Sequence, residues 1–197
     1  MQTVLITGEM GAGKSQAVSW LKQRLFPIFQ ADSQAKSFLK PSSPCYPQLK
    51  KLFFEQNLYL PNGEFDKKSL AQTIFQDLRR RKAMEAIIHP LVRNSFREYV
   101  EKQRKKGKKI VFYEAPLLSK AIFKACDKTV LIICPRFIRE KRLLLKGWTK
   151  VELEERLSRQ FDAFKIKDQM DFIIDNSGKL KDLKAQLNQV LQALIKE

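Results

Sequence analysis

Three glycines, a lysine and a serine near the N-terminus have the plainest chemical meaning in this chain. The run Gly8-Glu9-Met10-Gly11-Ala12-Gly13-Lys14-Ser15 fits G-x-x-x-x-G-K-[ST], the spacing of a loop that wraps phosphate groups. Glycine lets the backbone curl so that N–H groups point inward, making a concave anion site that the N-terminus of a helix reinforces. A lysine at position 14 reaches the β- and γ-phosphates of a nucleotide, and the Ser15 hydroxyl beside it can ligate Mg²⁺. Asp32 is a second candidate. Pro27 to Asp32 reads as a short strand ending in a carboxylate, where parallel strands of α/β folds present functional groups. Ala35, Phe38 and Leu39 follow at helical spacing, so Asp32 reads equally well as a helix N-cap. A third group is cationic: Arg136, Arg139, Lys141, Arg142, Lys146, Arg156 and Arg159 lie close together late in the chain. They are either a solvated helix face or a lid that closes over transferring phosphate.

These residues need elements to hold them. Thr3 to Thr7 is an apolar run with strand character, and Ala17, Val18, Leu21 and Leu25 recur at helical spacing, so the glycine loop joins a strand to a helix. Ile110 to Glu114 is a second buried strand, ending in an acid in the manner of a Walker B segment. Thr129 to Cys134 and Phe172 to Ile174 add two more, and with Pro27 to Asp32 five parallel strands alternate with helices. The class is α/β, three-layered. Pro41, Pro44 and Pro47 break the chain after Asp32, and the short helical patch between them reads as an insertion. Asn62-Gly63 is a turn, and Asp66 caps a helix carrying Leu70, Ile74 and Phe75. Pro90, after the lone His89, reads as the start of a helix that closes at Gly107. Thr149 and Glu152 form a capping box, with Trp148 and Leu153 as its hydrophobic staple. Leu180, Leu183, Leu187, Leu191 and Leu194 mark a C-terminal amphipathic helix.

Composition narrows the partners. In 197 residues, 38 Lys and Arg outweigh 21 Asp and Glu for a net charge of +17, which calls for an anionic partner. No recognition helix or RNA-binding signature accompanies the charge, so small polyphosphates are expected ahead of specific nucleic acid. No apolar run approaches the ~20 residues of a membrane-spanning helix, and no secretory leader is visible; a cytoplasmic protein is expected. Cys45, Cys126 and Cys134 have no C-x-x-C spacing and read as reduced, packed thiols.

Taken together, these pieces resemble the dephospho-CoA kinase family along nearly the whole chain. The phosphate loop comes first, then Gln30-Ala31-Asp32 in the place of the family's D-A-D. Asn62-Gly63-Glu64-Phe65-Asp66-Lys67, then Met84-Glu85 with His89-Pro90 and Arg93, follow in the family's order. Pro116-Leu117-Leu118, Arg142-Leu143, Arg156 with Gln160, and Asp171 with Asn176 complete the series. The chain departs from the family at Gln30, Gln16, Lys120, Lys67 and Lys146. The resemblance implies a P-loop kinase fold with core 1–30, 96–138 and 171–197, an acceptor-binding subdomain 31–95 and a lid 139–170. It implies transfer of the ATP γ-phosphoryl group to the ribose 3′-hydroxyl of dephospho-CoA, with ATP and Mg²⁺ as cofactors; a monomer is the expected working unit. Another nucleotide-like acceptor, or ATP binding without turnover, remains as the alternative. By the same resemblance the donor lies against Gly8 to Ser15, Gln16, Lys146 and Asn176, with Ser15 on the metal. The acceptor lies against Asp32, His89, Arg93, Pro116, Leu117 and Leu118, and Lys14, Arg142 and Asp32 carry catalysis.

Overall fold

The N-terminal apolar run forms β1 (Gln2–Gly8), in which Val4, Leu5 and Ile6 are completely buried. Neighbouring side chains of a strand point to opposite faces, so consecutive buried positions require a sheet covered on both sides. β1 has that setting. In the computed structural model, which describes residues 1–56, 58–116, 126–157 and 163–196, β1 is the middle of a five-stranded parallel sheet. Its companions are β2 (Ile28–Gln30), β3 (Ile110–Glu114), β4 (Lys128–Ile133) and β5 (Phe172–Asp175), in the order β2-β3-β1-β4-β5. β1 pairs in parallel with β3 and with β4, and β4 with β5.

Alternate residues of β4 show how the layers form. Val130 and Ile132 pack with Ala17, Val18 and Leu21 of α1 (Lys14–Gln23) and with Leu183, Leu187, Leu191 and Leu194 of α8 (Leu180–Lys196). Leu131 turns to the other face and meets Ala163 and Ile166. Each such leucine removed from water is worth roughly 1.5–3 kcal/mol, so these two faces dominate the stability of the sheet. Side chains also fix the strand edges. The Thr3 N–H and hydroxyl both donate to Asp127 Oδ2 at 2.8 Å, and Thr129 does the same to Asp171 Oδ2 at 2.8 and 2.6 Å.

The chain divides into two compact units, one of Met1–Phe29 with Lys102–Glu197 and one of Gln30–Glu101. The second unit contains α2 (Ala31–Ser37), α3 (Tyr46–Leu52), α4 (Lys67–Gln76) and most of α5 (Leu78–Lys105). Its core is aromatic: Phe65 lies 5.4 Å from Tyr46, 5.9 Å from Phe53 and 5.0 Å from Tyr59, ring centre to ring centre. The Asn62-Gly63 turn returns the chain to that core, with the Glu64 N–H donating to Asn62 Oδ1 and the Tyr46 hydroxyl to the Gly63 carbonyl. Asp66 caps α4 as expected, accepting from the Lys68 N–H at 3.0 Å and the Ser69 hydroxyl at 2.5 Å.

Two expectations are corrected here. Pro90 does not open a helix; it lies inside α5, which runs unbroken from Leu78 to Lys105. Proline removes one backbone hydrogen bond from a helix interior, yet Ile88, Val92 and Phe96 are buried on both sides of it, and their spacing of four carries the apolar stripe straight through. Nor does the second strand reach Asp32. β2 ends at Gln30, α2 starts at Ala31, and Gln30 rather than Asp32 is the N-cap residue.

Candidate active site

β1 leaves the sheet at Gly8, where a Cβ would lie 2.4 Å from the Ile132 carbonyl oxygen of β4. Only glycine can take that exit. At the far end of the loop Gly13 is the N-cap of α1 with a φ of 108°, and a Cβ there would lie 2.0 Å from Asn176 Nδ2. Both the backbone angle and the space therefore select glycine.

Between these points, side chains take the loop carbonyls almost one after another. Lys14 Nζ donates to the carbonyls of Gly8 at 2.6 Å and Glu9 at 3.3 Å. Arg139 Nη1 donates to that of Met10 at 3.3 Å, and Asn176 Nδ2 to that of Ala12 at 2.7 Å. Within the loop the Ala12 N–H also donates to the Glu9 carbonyl, at 3.2 Å. The loop is thus held in its curl by its own residues and by two side chains from distant segments. Ser15 and Gln16 are exposed on the first turn of α1, and Lys14 is half-buried at its start.

Arg139 comes from α6 (Arg136–Leu144), which follows β4 directly. It is 5% exposed, and besides Met10 it bonds the Cys134 carbonyl through Nε at 3.0 Å and Glu9 Oε1 through Nη2 at 2.9 Å. Composition grouped Arg139 with the cations of a closing lid; the structure places it on the phosphate loop itself. A signal was present in Glu9, because a carboxylate inside a phosphate loop needs a compensating cation. One turn along α6, the half-buried Arg142 donates through Nη1 to Cys134 Sγ at 3.4 Å. Burial pushes the Cys134 thiol up, and the nearby Arg142 and Arg139 pull it partway back. Lys146, just past α6, is exposed. Thr149 and Glu152 cap α7 (Lys150–Leu157) reciprocally, and Trp148 packs with Leu143, Leu153 and Leu157.

Asn176 is 2% exposed at the end of β5, where its N–H also donates to the Ile133 carbonyl. Glu114 ends β3 and pairs in register with Ile6, two residues before the loop begins. Asp32 is exposed in the first turn of α2, in the second unit. His89 and Arg93 are exposed on α5, four residues apart and hence on one helix face. Pro116 is half-buried two residues past β3. Leu117, Leu118 and Lys120 lie outside the described residues, as do Arg159, Gln160 and the side chain of Arg156. Among the described residues no group of three or more His, Cys, Asp or Glu is arranged to hold a metal ion, and no helix is long and apolar enough to cross a membrane.

A central parallel strand that ends in a glycine loop on a helix N-terminus, with a lysine across the loop, defines a P-loop kinase of the α/β/α type. Shikimate kinase from Bacteroides thetaiotaomicron, 17% identical, superposes over 100% of this chain and 99% of its own with a TM-score of 0.52, a likeness of fold alone. Residues 2–182 match the family model described as dephospho-CoA kinase, and the chain belongs to that family. The dephospho-CoA kinase of Anaeromyxobacter dehalogenans (strain 2CP-C) is 30% identical over 196 residues, 98% of this chain and 92% of that protein. Among solved structures, TT1252 from Thermus thermophilus is 29% identical with a TM-score of 0.83, covering 98% of this chain and 97% of its own. The dephospho-CoA kinase from Campylobacter jejuni has the same fold, with 24% identity, a TM-score of 0.72 and the same coverage.

Proposed function

We propose that this chain moves the γ-phosphoryl group of ATP to the ribose 3′-hydroxyl of dephospho-CoA, giving coenzyme A and ADP, with the roles that follow. The observation that supports this reading is the phosphate loop between β1 and α1, whose carbonyls are engaged by Lys14, Arg139 and Asn176. Lys14 would exchange the Gly8 and Glu9 carbonyls for the β- and γ-phosphates, a stronger charge-assisted bond. Phosphoryl transfer asks for positioning and charge neutralisation more than for covalent chemistry from the protein. The acceptor oxygen bonds to the γ-phosphorus as the bond to the β-phosphate oxygen breaks, and the hydroxyl proton passes to Asp32. Arg142, released from the Cys134 sulfur, would neutralise charge on the transferring group, with Lys146 beside it. His89 and Arg93, sharing a face of α5, would hold anionic groups of the acceptor, and Pro116 with Leu117 and Leu118 would pack against its apolar parts.

Magnesium fits the donor set. Mg²⁺ keeps several waters and takes few protein ligands when phosphates supply the rest, so one exposed Ser15 hydroxyl at the start of α1 is sufficient and an acidic cluster is not required. When bound with ATP it offsets charge on the β- and γ-phosphates. The unpaired thiols of Cys45, Cys126 and Cys134 suit the reducing cytoplasm, where ATP is the abundant donor, and we place the protein there as a monomer. A coupled assay of ADP release with dephospho-CoA, nucleoside monophosphates or RNA as acceptor tests the reading. Turnover with dephospho-CoA well above the others is the expected result. Preference for another acceptor, or ATP binding without ADP release, overturns it.

A further inference from the structure

We propose that Arg139 is a positioning residue for the donor, acting by cancelling the charge of Glu9, a carboxylate that the phosphate loop itself carries. This role rests on ATP being the donor, as argued above. Glu9 is the second residue of the loop and only 7% exposed, so its charge is poorly screened by solvent and lies within the segment that must accept a polyanion. Left alone it would repel the phosphates that Lys14 and the loop amides attract. Arg139 meets it at 2.9 Å with both side chains buried, and the same guanidinium fastens the Met10 carbonyl at 3.3 Å and the Cys134 carbonyl at 3.0 Å. The cation therefore does two things at once. It draws the Glu9 carboxylate toward α6, and it ties the outer side of the loop to the end of β4. Gly11 permits the approach: a Cβ there would lie 3.0 Å from the Arg139 Cβ. A lysine could not replace it, because one ammonium cannot span three acceptors that the planar fork reaches together.

The consequence differs from that of Arg142. A residue that touches the transferring phosphate acts on the transition state, whereas Arg139 prepares the loop before ATP arrives. Its loss should therefore raise the KM for ATP more than it lowers kcat. Glu9 and Arg139 should also be coupled in sign: removing the cation hurts because the carboxylate stays, so removing both should hurt less than removing one.

The test is calorimetric titration of wild type, Arg139→Met, Glu9→Gln and the double variant with Mg·ATP and, separately, with inorganic tripolyphosphate, alongside thermal melts without ligand. Arg139→Met is expected to weaken both ligands at least roughly ten-fold, and the double variant to return within about three-fold of wild type. Arg139→Met equal to wild type, or a double variant as weak as Arg139→Met, overturns the proposal. Wild type that binds neither ligand would instead sink the ATP-dependent reading on which it rests. If Arg139→Met does not fold, Arg139→Gln, which also removes the charge, carries the same comparison with and without Glu9→Gln. Rescue of the glutamine variant by Glu9→Gln is then expected, and absence of rescue overturns the proposal.

Discussion

At the residue scale, Asp32 and Arg142 carry the sharpest expectations. Asp32 is exposed, lies in the first turn of α2 and is not its N-cap, so the helix does not depend on its side chain. Asp32→Asn keeps the size but removes the negative charge and the ability to take a proton. Turnover of dephospho-CoA should fall roughly 10²- to 10⁴-fold while the melting temperature stays within about 2 °C of wild type. A few-fold change in turnover would show that Asp32 has no part in the chemistry. Arg142→Ala removes a guanidinium that donates to the Cys134 sulfur in this structure. If its working partner is the transferring phosphate, kcat should drop far more than ATP affinity, and Arg142→Lys should recover part of the loss because charge returns without the fork. Equal losses in binding and turnover would instead place Arg142 on the ground-state nucleotide.

At the element scale, α7 shows local sequence dictating local structure. Thr149 and Glu152 bond each other's backbone N–H groups, so Thr149→Ala should destabilise the protein by about 1 kcal/mol, read as a lower denaturation midpoint at unchanged m-value. No change in midpoint would mean that the packing of Leu153 and Leu157 alone holds the helix. The same locality explains how much was legible in the sequence. All five strands were visible as apolar runs: β3, β1 and β4 are buried on both faces and show no polar alternation, while at the edge β5 stays apolar although Ile173 is exposed. The glycine loop was visible because its residue types answer to backbone angles and to contact with Ile132 and Asn176. Pro90 was misplaced because a local rule for helix starts yields to packing of Ile88, Val92 and Phe96. Asp32 was read as either a strand end or a helix N-cap, two residues late, because no glycine or proline marks the step from β2 to α2. Arg139 was missed as a partner of the loop because 130 residues separate it from Glu9, and spacing rules reach only along one element.

At the scale of the whole molecule, acid should loosen the fold through specific carboxylates. The Ser69 hydroxyl holds Asp66 below its ordinary value of 3.8, and the Thr3 backbone N–H does the same for Asp127. Groups depressed in this way contribute stability above the unfolded value and lose it as the pH falls through the folded one. Melting temperature should therefore fall most steeply below about pH 4, and Asp127→Asn should flatten that decline. An unchanged slope in the variant would rule Asp127 out as a source. The strand order carries a consequence for how the protein comes into being. Gln2 of β1 pairs with Ile110 and Val4 pairs with Lys128, so neither neighbour of the central strand has been made when β1 leaves the ribosome. At roughly 5–20 residues per second, β1 waits on the order of ten seconds before β3 follows it out. Meanwhile Gln30 to Glu101, the whole of the second unit, emerges and can close its aromatic core around Phe65. The central strand of the finished sheet is thus the one whose apolar faces wait longest for their partners.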